Sequence, residues 1–266
     1  MSTTPPDPAS SGPHGHLYAG TSGFAYPGWA PRFYPAGLKA GALLASYAGR
    51  LSAVELNNTF YQQPSAAKVE AWLAATPTAF RFSVKAQRGG SFRAFGSGPE
   101  PGLPWLTDPY RAFGERLGTV LFRVPDNVHR DDDRLGALLD AWPRDMPLTV
   151  EFQHASWHVD ETLGALANAG AALCATDQPD DPEPPTLRRT APFLYLRLRR
   201  HDYAPEEIEA WAARLEPFLD AGDDAYVFFR HDEAGRGPEL AMALTSAVAA
   251  RGLSLANPRQ DRTPRG

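Results

Sequence analysis

Residues 192–199 read PFLYLRLR, in which every second position from 194 onward is leucine. This period of two predicts a β-strand with an apolar face that packs beneath outer helices. The other face ends in Arg197 and Arg199, and we expect it to point into the interior of a barrel. A buried arginine needs a counter-charge or an anionic ligand, so this strand also predicts part of a site.

Seven further short runs are rich in β-branched and aromatic residues, and most are followed by an amphipathic segment of helical period. They cover residues 17–22, 52–57, 80–85, 119–124, 148–152, 171–177 and 225–230. Strands that alternate regularly with helices predict βαβ units on a parallel sheet. Eight such units predict an α/β protein that is a single (β/α)8 TIM-type barrel with parallel strands. A barrel of this type needs about 250 residues, which suits a chain of 266.

Two connections are longer than is usual in such a barrel. Residues 86–104, AQRGGSFRAFGSGPEPGLP, follow the third strand, and residues 178–191 follow the sixth, where proline-rich sequence replaces a regular helix. We expect both to be long loops on the carboxyl side of the barrel. Loops of this length are commonly lids or binding loops, and the alternative is a surface insertion without a role.

The two ends of the chain set the predicted domain boundaries. Residues 1–16 contain no periodic apolar positions and predict a disordered tail, and residues 253–266 predict a flexible C-terminal tail. The barrel is therefore expected over residues 17–252. The sequence shows no secretion signal and no apolar stretch long enough for a membrane helix, and its single Cys174 has no partner for an internal disulfide. These features predict a cytoplasmic protein with no membrane partner.

Composition also limits the partners. The net charge of −5, from 26 basic and 31 acidic side chains, argues against a broad nucleic-acid surface, which would need positive charge. The sequence contains no glycine-rich nucleotide motif, no Walker motif and no cysteine pair for a metal. It therefore assigns no cofactor, and it leaves the oligomeric state open.

Chemistry-bearing side chains collect where the predicted strands end, which is where barrel enzymes place their active sites. Alternation points seven of them inward: the acids Glu55, Glu151 and Asp177, and the bases Lys85, Arg123, Arg197 and Arg199. The excess of positive charge predicts a site for a small anionic ligand, such as a carboxylate or a phosphate. The alternative is an internal network of ion pairs without catalysis, for example Glu55 with Lys85 and Glu151 with Arg197.

Further candidates lie in the turns at the same end of the barrel. Thr21 and Ser22 end the first strand, where a hydroxyl either binds ligand or caps the turn. His154 is a candidate general base or metal ligand, with a hydrogen bond to the backbone as the alternative role. The remaining members of the predicted ligand-binding set are Asn57, Tyr61, Trp157 and Arg230. The two aromatic members are candidate pocket walls, or else ordinary core.

Six segments at these strand ends together resemble the DUF72 (YecE-like) family. They are GTSGFAYPGW (20–29), VELNNTFYQQP (54–64), FRFSVKA (80–86), LGTVLFRVP (117–125), VEFQHASW (150–157) and FLYLRLR (193–199). The resemblance spans roughly residues 17–246 in the expected order and implies a TIM-type barrel, without naming a reaction. The family pattern falls on Thr21, Ser22, Gly23, Glu55, Asn57, Thr59, Tyr61, Lys85, Glu151, His154, Trp157 and Arg197.

This sequence departs from the family pattern at four places. Relatives usually have Gln where Arg123 stands, Arg where Gln153 stands, His-Gly in place of residues 199–200, and an Asn pair in place of Arg230-His231. The resemblance therefore does not carry ligand specificity over to this chain, whereas the glutamates and Lys85 remain in place.

The leading prediction is an enzyme that acts on a small anionic or phosphorylated molecule. Lys85 and Arg197 would bind the anion, and Glu55 and Glu151 would serve as general acid and base. Other classes of function remain open. One is a metal-dependent hydrolase or isomerase with four candidate ligands, Glu55, Glu151, Asp177 and His154. Another is a noncatalytic binding or scaffold protein, of which nucleic-acid binding through residues 86–104 and the basic tail is a variant.

Overall fold

Eight parallel strands close into a barrel in which each strand pairs with the next one along the chain and the last pairs with the first. The computed structural model describes residues 14–96, 98–99, 102–230, 232 and 234–256. The strands are β1 (Leu17–Ser22), β2 (Ala53–Leu56), β3 (Arg81–Lys85), β4 (Leu117–Val124), β5 (Leu148–Phe152), β6 (Ala172–Asp177), β7 (Phe193–Leu198) and β8 (Asp224–Phe229). The predicted (β/α)8 architecture is confirmed.

Helices follow most strands and cover the outside of the barrel. They are α1 (Leu43–Ala48), α2 (Ala66–Ala74), α3 (Arg88–Gly96), α4 (Gly102–Thr107), α5 (Asp132–Ala141), α6 (Asp160–Ala169), α7 (Pro205–Asp220) and α8 (Arg236–Ala250). Residues 178–192, between β6 and β7, contain only turns and loop, as the proline-rich sequence predicts. None of the described helices is long and apolar enough to cross a membrane.

The segment predicted as a long loop after the third strand is partly helical. Helix α3 and the start of α4 fall within residues 86–104. The α3 sequence RGGSFRAFG has low intrinsic helix propensity because of its glycines. Tertiary packing overrides that propensity, since the Phe95 ring on this helix is buried and lies 5.9 Å from the ring of Trp157.

Both ends of the described chain are attached to the barrel. Three backbone hydrogen bonds join them to it: Gly15 N to Leu219 O (2.8 Å), Leu17 N to Ser254 O (3.2 Å) and Ala256 N to Leu17 O (3.2 Å). Residues 14–16 and 253–256 therefore differ from the tails predicted there, because their backbone groups pair with the barrel. The rest of the two predicted tails, residues 1–13 and 257–266, lies outside the described residues.

The barrel interior changes from apolar to charged along its axis. Near the amino end the rings of Tyr18 and Tyr226 stack at 4.8 Å, and Leu121 and Phe228 belong to the same apolar cluster. The leucine face of β7 packs against the outer helices, as its alternation predicts. The polar side chains at the carboxyl end therefore lie between an apolar layer of the barrel interior and the solvent.

Candidate functional site

Eight of the predicted site residues converge at the carboxyl end of the barrel. We call them the mouth cluster: Ser22, Glu55, Lys85, Arg123, Glu151, Arg197, Arg199 and Arg230. Each occupies an inward position of its strand or follows the strand directly. Strand register aligns Glu55 with Ser22, and Arg123 with Glu151. The cluster therefore combines five cations with two carboxylates and one hydroxyl.

Arg197 is the centre of the mouth cluster and pairs with both carboxylates. Its Nε lies 3.0 Å from Glu55 Oε2, its Nη2 donates to Glu55 Oε1 (3.1 Å), and its Nη1 donates to Glu151 Oε1 (2.6 Å). All three side chains are buried. Burial lowers the pKa of Arg197, but the two carboxylates outweigh burial and hold it well above its usual value. Arg197 is therefore a fixed positive charge beneath the mouth.

Glu55 is a counter-ion with both oxygens engaged. Besides the contacts with Arg197, Ser22 Oγ donates to Oε1 (2.7 Å) and the Tyr195 hydroxyl donates to Oε2 (2.7 Å). Burial raises the pKa of Glu55, but Arg197 and the two hydroxyl donors outweigh it and lower the pKa to about 2. A carboxylate with so low a pKa is a weak base, and neither of its oxygens is free, so the predicted acid–base role of Glu55 does not fit this geometry. Glu55 instead holds Arg197 in place.

The ion pair between Glu55 and Lys85, one example of the noncatalytic alternative, does not form. Register aligns Glu55 with Ser83 on β3, which puts Lys85 one inward position nearer the mouth. Arg197 reaches Glu55 from across the barrel and pairs with it. The other predicted pair, Glu151 with Arg197, is present.

Glu151 keeps one oxygen without a hydrogen bond. Its Oε1 accepts from Arg197, whereas its Oε2 lies 3.4 Å from Arg123 Nε and accepts no hydrogen bond from any described residue. Buried carboxylate oxygens are usually hydrogen-bonded, whereas this one is closed to solvent and has no hydrogen-bond donor among the described residues. Glu151 therefore differs from Glu55, whose two oxygens both accept hydrogen bonds.

Two arginines at the outer edge of the mouth form no ion pair with a described residue. Arg199 Nη1 lies 3.4 Å from Ser22 Oγ, and Arg230 Nη1 lies 3.5 Å from His201 Nε2. Both arginines are half-buried. Burial lowers the pKa of Arg199, Arg197 and Arg230 contribute in the same direction, and Glu55 and Glu151 oppose the shift. Neighbouring guanidinium groups that repel each other in a half-buried position favour the binding of an anion.

The Lys85 side-chain amine also forms no hydrogen bond or ion pair within the described ranges, and its Nζ lies 4.3 Å from the centre of the Phe60 ring. Burial lowers the pKa of Lys85 to about 8, and Arg197 contributes in the same direction while Glu55 and Glu151 oppose the shift. With that pKa, Lys85 is a neutral amine in about one tenth of the protein molecules at pH 7.

A cavity of 810 Å³ adjoins the mouth cluster. Its lining includes Arg123, which belongs to the cluster, and Phe60, whose ring lies beside the Lys85 amine. Its other principal side chains are two arginines and two phenylalanines: Arg88, Arg134, Phe92 and Phe95. No acidic side chain of a described residue lines it. The volume is in the range of small-molecule sites, and the mixture of aromatic and cationic walls suits a ligand with both apolar and anionic parts.

Asp177 lies outside the mouth cluster, contrary to its predicted inward position. Its carboxylate accepts a hydrogen bond from the Tyr203 hydroxyl (2.8 Å) and pairs with Arg200 Nε (3.1 Å). On β6 it is Thr176 that faces the interior, with its hydroxyl 3.5 Å from Glu151 Oε1. Successive side chains alternate, so Asp177 points outward.

Two other predicted ligand-binding residues have local structural contacts. The Thr21 hydroxyl is buried and donates to Gly23 O (2.7 Å), which stabilises the turn after β1. The Trp157 indole donates to Val128 O (2.9 Å), and its ring stacks on Phe152 at 4.6 Å. Trp157 is therefore part of the hydrophobic core.

Three further candidates have no hydrogen bond or ion pair with the mouth cluster in the described part of the chain. His154 Nδ1 lies 2.8 Å from Ser156 Oγ in a short turn after β5, and its ring faces that of His129 at 3.9 Å. Tyr61 is 78% exposed. Asn57 is half-buried at the start of the turn after β2.

The four predicted metal ligands do not come together. Glu55 and Glu151 both pair with Arg197. Asp177 pairs with Arg200, and His154 lies in the turn after β5. Across the described residues, no group of three or more His, Cys, Asp and Glu side chains is placed to hold a metal ion.

Two aromatic residues contribute to the site without a predicted role. Tyr195 lies two positions before Arg197, so the same alternation places it inward and could have indicated its contact with Glu55. Phe60 lies in a short turn after β2, where no periodic signal indicates that it reaches Lys85.

Comparisons with known proteins agree with this architecture. A sequence model of the family described as "Protein of unknown function DUF72" matches residues 18–264. UPF0759 protein YunF of Bacillus subtilis (strain 168) is 23% identical, over 82% of this chain and 90% of that protein. The crystal structure of a DUF72 family protein from Thermotoga maritima MSB8 is similar, with a TM-score of 0.76 and 26% identity over 88% of this chain and 99% of that chain. A DUF72 family protein from Enterococcus faecalis V583 gives a TM-score of 0.74 and 18% identity over 88% and 95% of the two chains. The match to the family model covers most of the sequence, and this chain belongs to the DUF72 family.

Proposed function

We propose that this protein is a cytoplasmic enzyme whose mouth cluster binds a small anionic molecule, such as a carboxylate or a phosphate ester. One observation carries the proposal: Arg199 and Arg230 lie close together at the mouth, half-buried, with no carboxylate partner among the described residues. Arginines that served only internal ion pairs would each have an acidic partner in such a position. The cytoplasmic location rests on Cys174, which is buried and unpaired, as suits a reducing compartment.

The inner and outer charges of the mouth cluster have different roles in this proposal. Glu55 and Glu151 engage Arg197, and Arg123 also pairs with Glu151, so these two carboxylates and two arginines form an internally neutralised support. Arg199 and Arg230 form the outer layer, where an anion gains two charge-assisted contacts. Attraction between charges is stronger there than in bulk water, because the half-buried setting lowers the local dielectric constant.

Proton transfer on the bound anion is the chemistry that the cluster supports best. Glu151 Oε2 lacks a hydrogen bond and is the candidate general base, with Arg123 Nε 3.4 Å away. The adjoining cavity has room for the rest of the ligand. This assignment keeps the predicted role of Glu151 and gives Glu55 the supporting role of orienting Arg197.

Thermal unfolding with inorganic phosphate tests the anion site, because a ligand that binds only the folded state raises Tm. We expect millimolar phosphate to raise Tm above the value in sodium chloride of equal ionic strength. Arg199→Ala and Arg230→Ala should each weaken the apparent phosphate affinity by about tenfold or more, since each removes a charged hydrogen-bond donor. Arg251→Ala is the matched control, because it removes the same charge at the C-terminal end of α8 and should keep the wild-type response.

The outcomes separate the proposal from its alternatives. A rise in Tm that depends on Arg199 and Arg230 but not on Arg251 supports an anion site at the mouth. Equal weakening in all three variants would show a general effect of net charge and contradict the proposal. No response to phosphate in the wild-type protein would also contradict it and favour the noncatalytic alternative.

A further inference from the structure

Lys85 is the one cation of the mouth cluster that can act as a nucleophile. We propose that its amine forms an imine with a carbonyl group of the bound ligand, which makes the ligand an anionic carbonyl compound such as a 2-oxo acid or a phosphorylated aldehyde or ketone. This inference rests on the proposed anion site, since Arg199 and Arg230 would hold the negative group of the same molecule.

The first support is the position of the amine. Lys85 Nζ lies over the Phe60 ring at 4.3 Å and has no hydrogen bond or ion pair with a described residue. The two carboxylates that could have held it are engaged by Arg197. A lysine that served only as a charge would gain from pairing with one of them. The amine is instead left available within the mouth cluster.

The second support is the electrostatic environment. Side chains of four other strands act on the Lys85 ammonium: Arg123 and Arg197 repel it, and Glu55 and Glu151 attract it. The side chain is also half-buried, which disfavours its charged form. The result favours a neutral amine at a pH near neutrality, which is the condition for nucleophilic attack by lysine.

The third support is a group that can move the protons of this chemistry. Glu151 Oε2 is buried and accepts no hydrogen bond from a described residue. Its charge acts on the Lys85 ammonium, and the two residues lie near the carboxyl ends of β5 and β3. An imine-forming site needs one such group to take and return a proton.

The reaction balances without a redox partner. The nitrogen lone pair of Lys85 attacks the carbonyl carbon, the C–N bond forms, and the carbonyl π electrons move to oxygen, which takes up a proton. That proton comes from solvent. The nitrogen then loses a proton to Glu151, Glu151 returns this proton to the hydroxyl group, the group leaves as water, and the nitrogen lone pair forms the C=N bond. The iminium that results can draw electrons from a neighbouring carbon, which is what makes such intermediates useful in bond cleavage and proton exchange.

Trapping with glyoxylate and sodium borohydride tests this inference, since borohydride converts an imine to a stable secondary amine. Glyoxylate is a small aldehyde that carries a carboxylate. The chain has only three lysines, Lys39, Lys68 and Lys85, so peptide mass mapping reads each site separately. We expect Lys85 to be labelled at least about tenfold faster than the two other lysines at neutral pH, because a larger fraction of its amine is neutral.

Two comparisons show whether the anion site directs the labelling. Glycolaldehyde is of similar size but uncharged, and it should label Lys85 with much less preference than glyoxylate does. Arg199→Ala should reduce the glyoxylate labelling of Lys85 without changing that of Lys39 or Lys68. Competition by pyruvate or by glyceraldehyde 3-phosphate then distinguishes a carboxylate from a phosphate as the preferred negative group.

The variant Lys85→Arg keeps the positive charge and removes the nucleophilic amine. It should abolish the rapid labelling while leaving the slow labelling of Lys39 and Lys68 unchanged. Uniform labelling of the three lysines in a wild-type protein that still responds to phosphate would overturn this inference and leave the anion site standing. Loss of the phosphate response in the wild-type protein would instead overturn the proposed function itself.

Discussion

Arg197→Met is expected to lower the free energy of unfolding by about 3–5 kcal/mol, which is a large part of the stability of a single domain. The variant leaves Glu55 and Glu151 buried without their shared counter-charge. Methionine fills a similar volume, so the loss reports mainly on charge. Urea unfolding at neutral pH, followed by circular dichroism, measures the difference from wild type.

A double-mutant cycle separates this effect from a loss of packing. Arg197→Met combined with Glu55→Gln should cost clearly less than the sum of the two single substitutions, because the second removes the charge that the first leaves uncompensated. Arg251→Met is the control for removing an arginine from the surface and should stay within about 0.5 kcal/mol of wild type. Additive losses, or a loss below about 1 kcal/mol for Arg197→Met, would contradict the central place given to Arg197.

Acid should remove much of the stabilisation that Glu55 provides. The pKa of Glu55 is about 2 in the folded protein, below its ordinary value of 4.5. A carboxyl group with a lowered pKa stabilises the fold above its unfolded-state pKa, and the stabilisation is lost as the pH falls towards the folded-state pKa. The full contribution is on the order of 3 kcal/mol at neutral pH.

Comparison of the wild-type protein with Glu55→Gln isolates this contribution, because the other carboxyl groups titrate in both proteins. The difference in unfolding free energy should shrink by about 2 kcal/mol between pH 7 and pH 3. Glu70→Gln, which changes an exposed carboxylate on α2, should show a difference that stays within about 0.5 kcal/mol over the same range. A constant difference for Glu55→Gln would show that this carboxylate is not held ionised by the mouth cluster.

The fold follows from the sequence because a period of two fixes the faces of a strand whatever the details of packing. The leucine face of β7 and the inward position of Arg197 are both consequences of that period. Helix α3 does not follow in the same way, since its glycines lower the helix propensity and the burial of Phe95 reverses the local preference.

The sequence predicts site residues only where the alternation of side chains along a strand decides which of them face inward. It places Glu55 inward but not its partner, since the choice of Arg197 over Lys85 depends on strand register. For Asp177 the predicted direction is wrong, because the inward and outward positions assumed for β6 are shifted by one residue from the observed ones. Residues in turns, such as His154, depend on turn geometry that the sequence does not specify.

A crystal structure of the protein, determined from crystals grown in phosphate, tests the anion site most directly. We expect electron density for phosphate at the mouth, with oxygens within hydrogen-bond distance of Arg199 and Arg230, and Arg197 still engaged by both glutamates. Arginine side chains that turn away to other carboxylates, with only water at the mouth at a saturating phosphate concentration, would contradict the account.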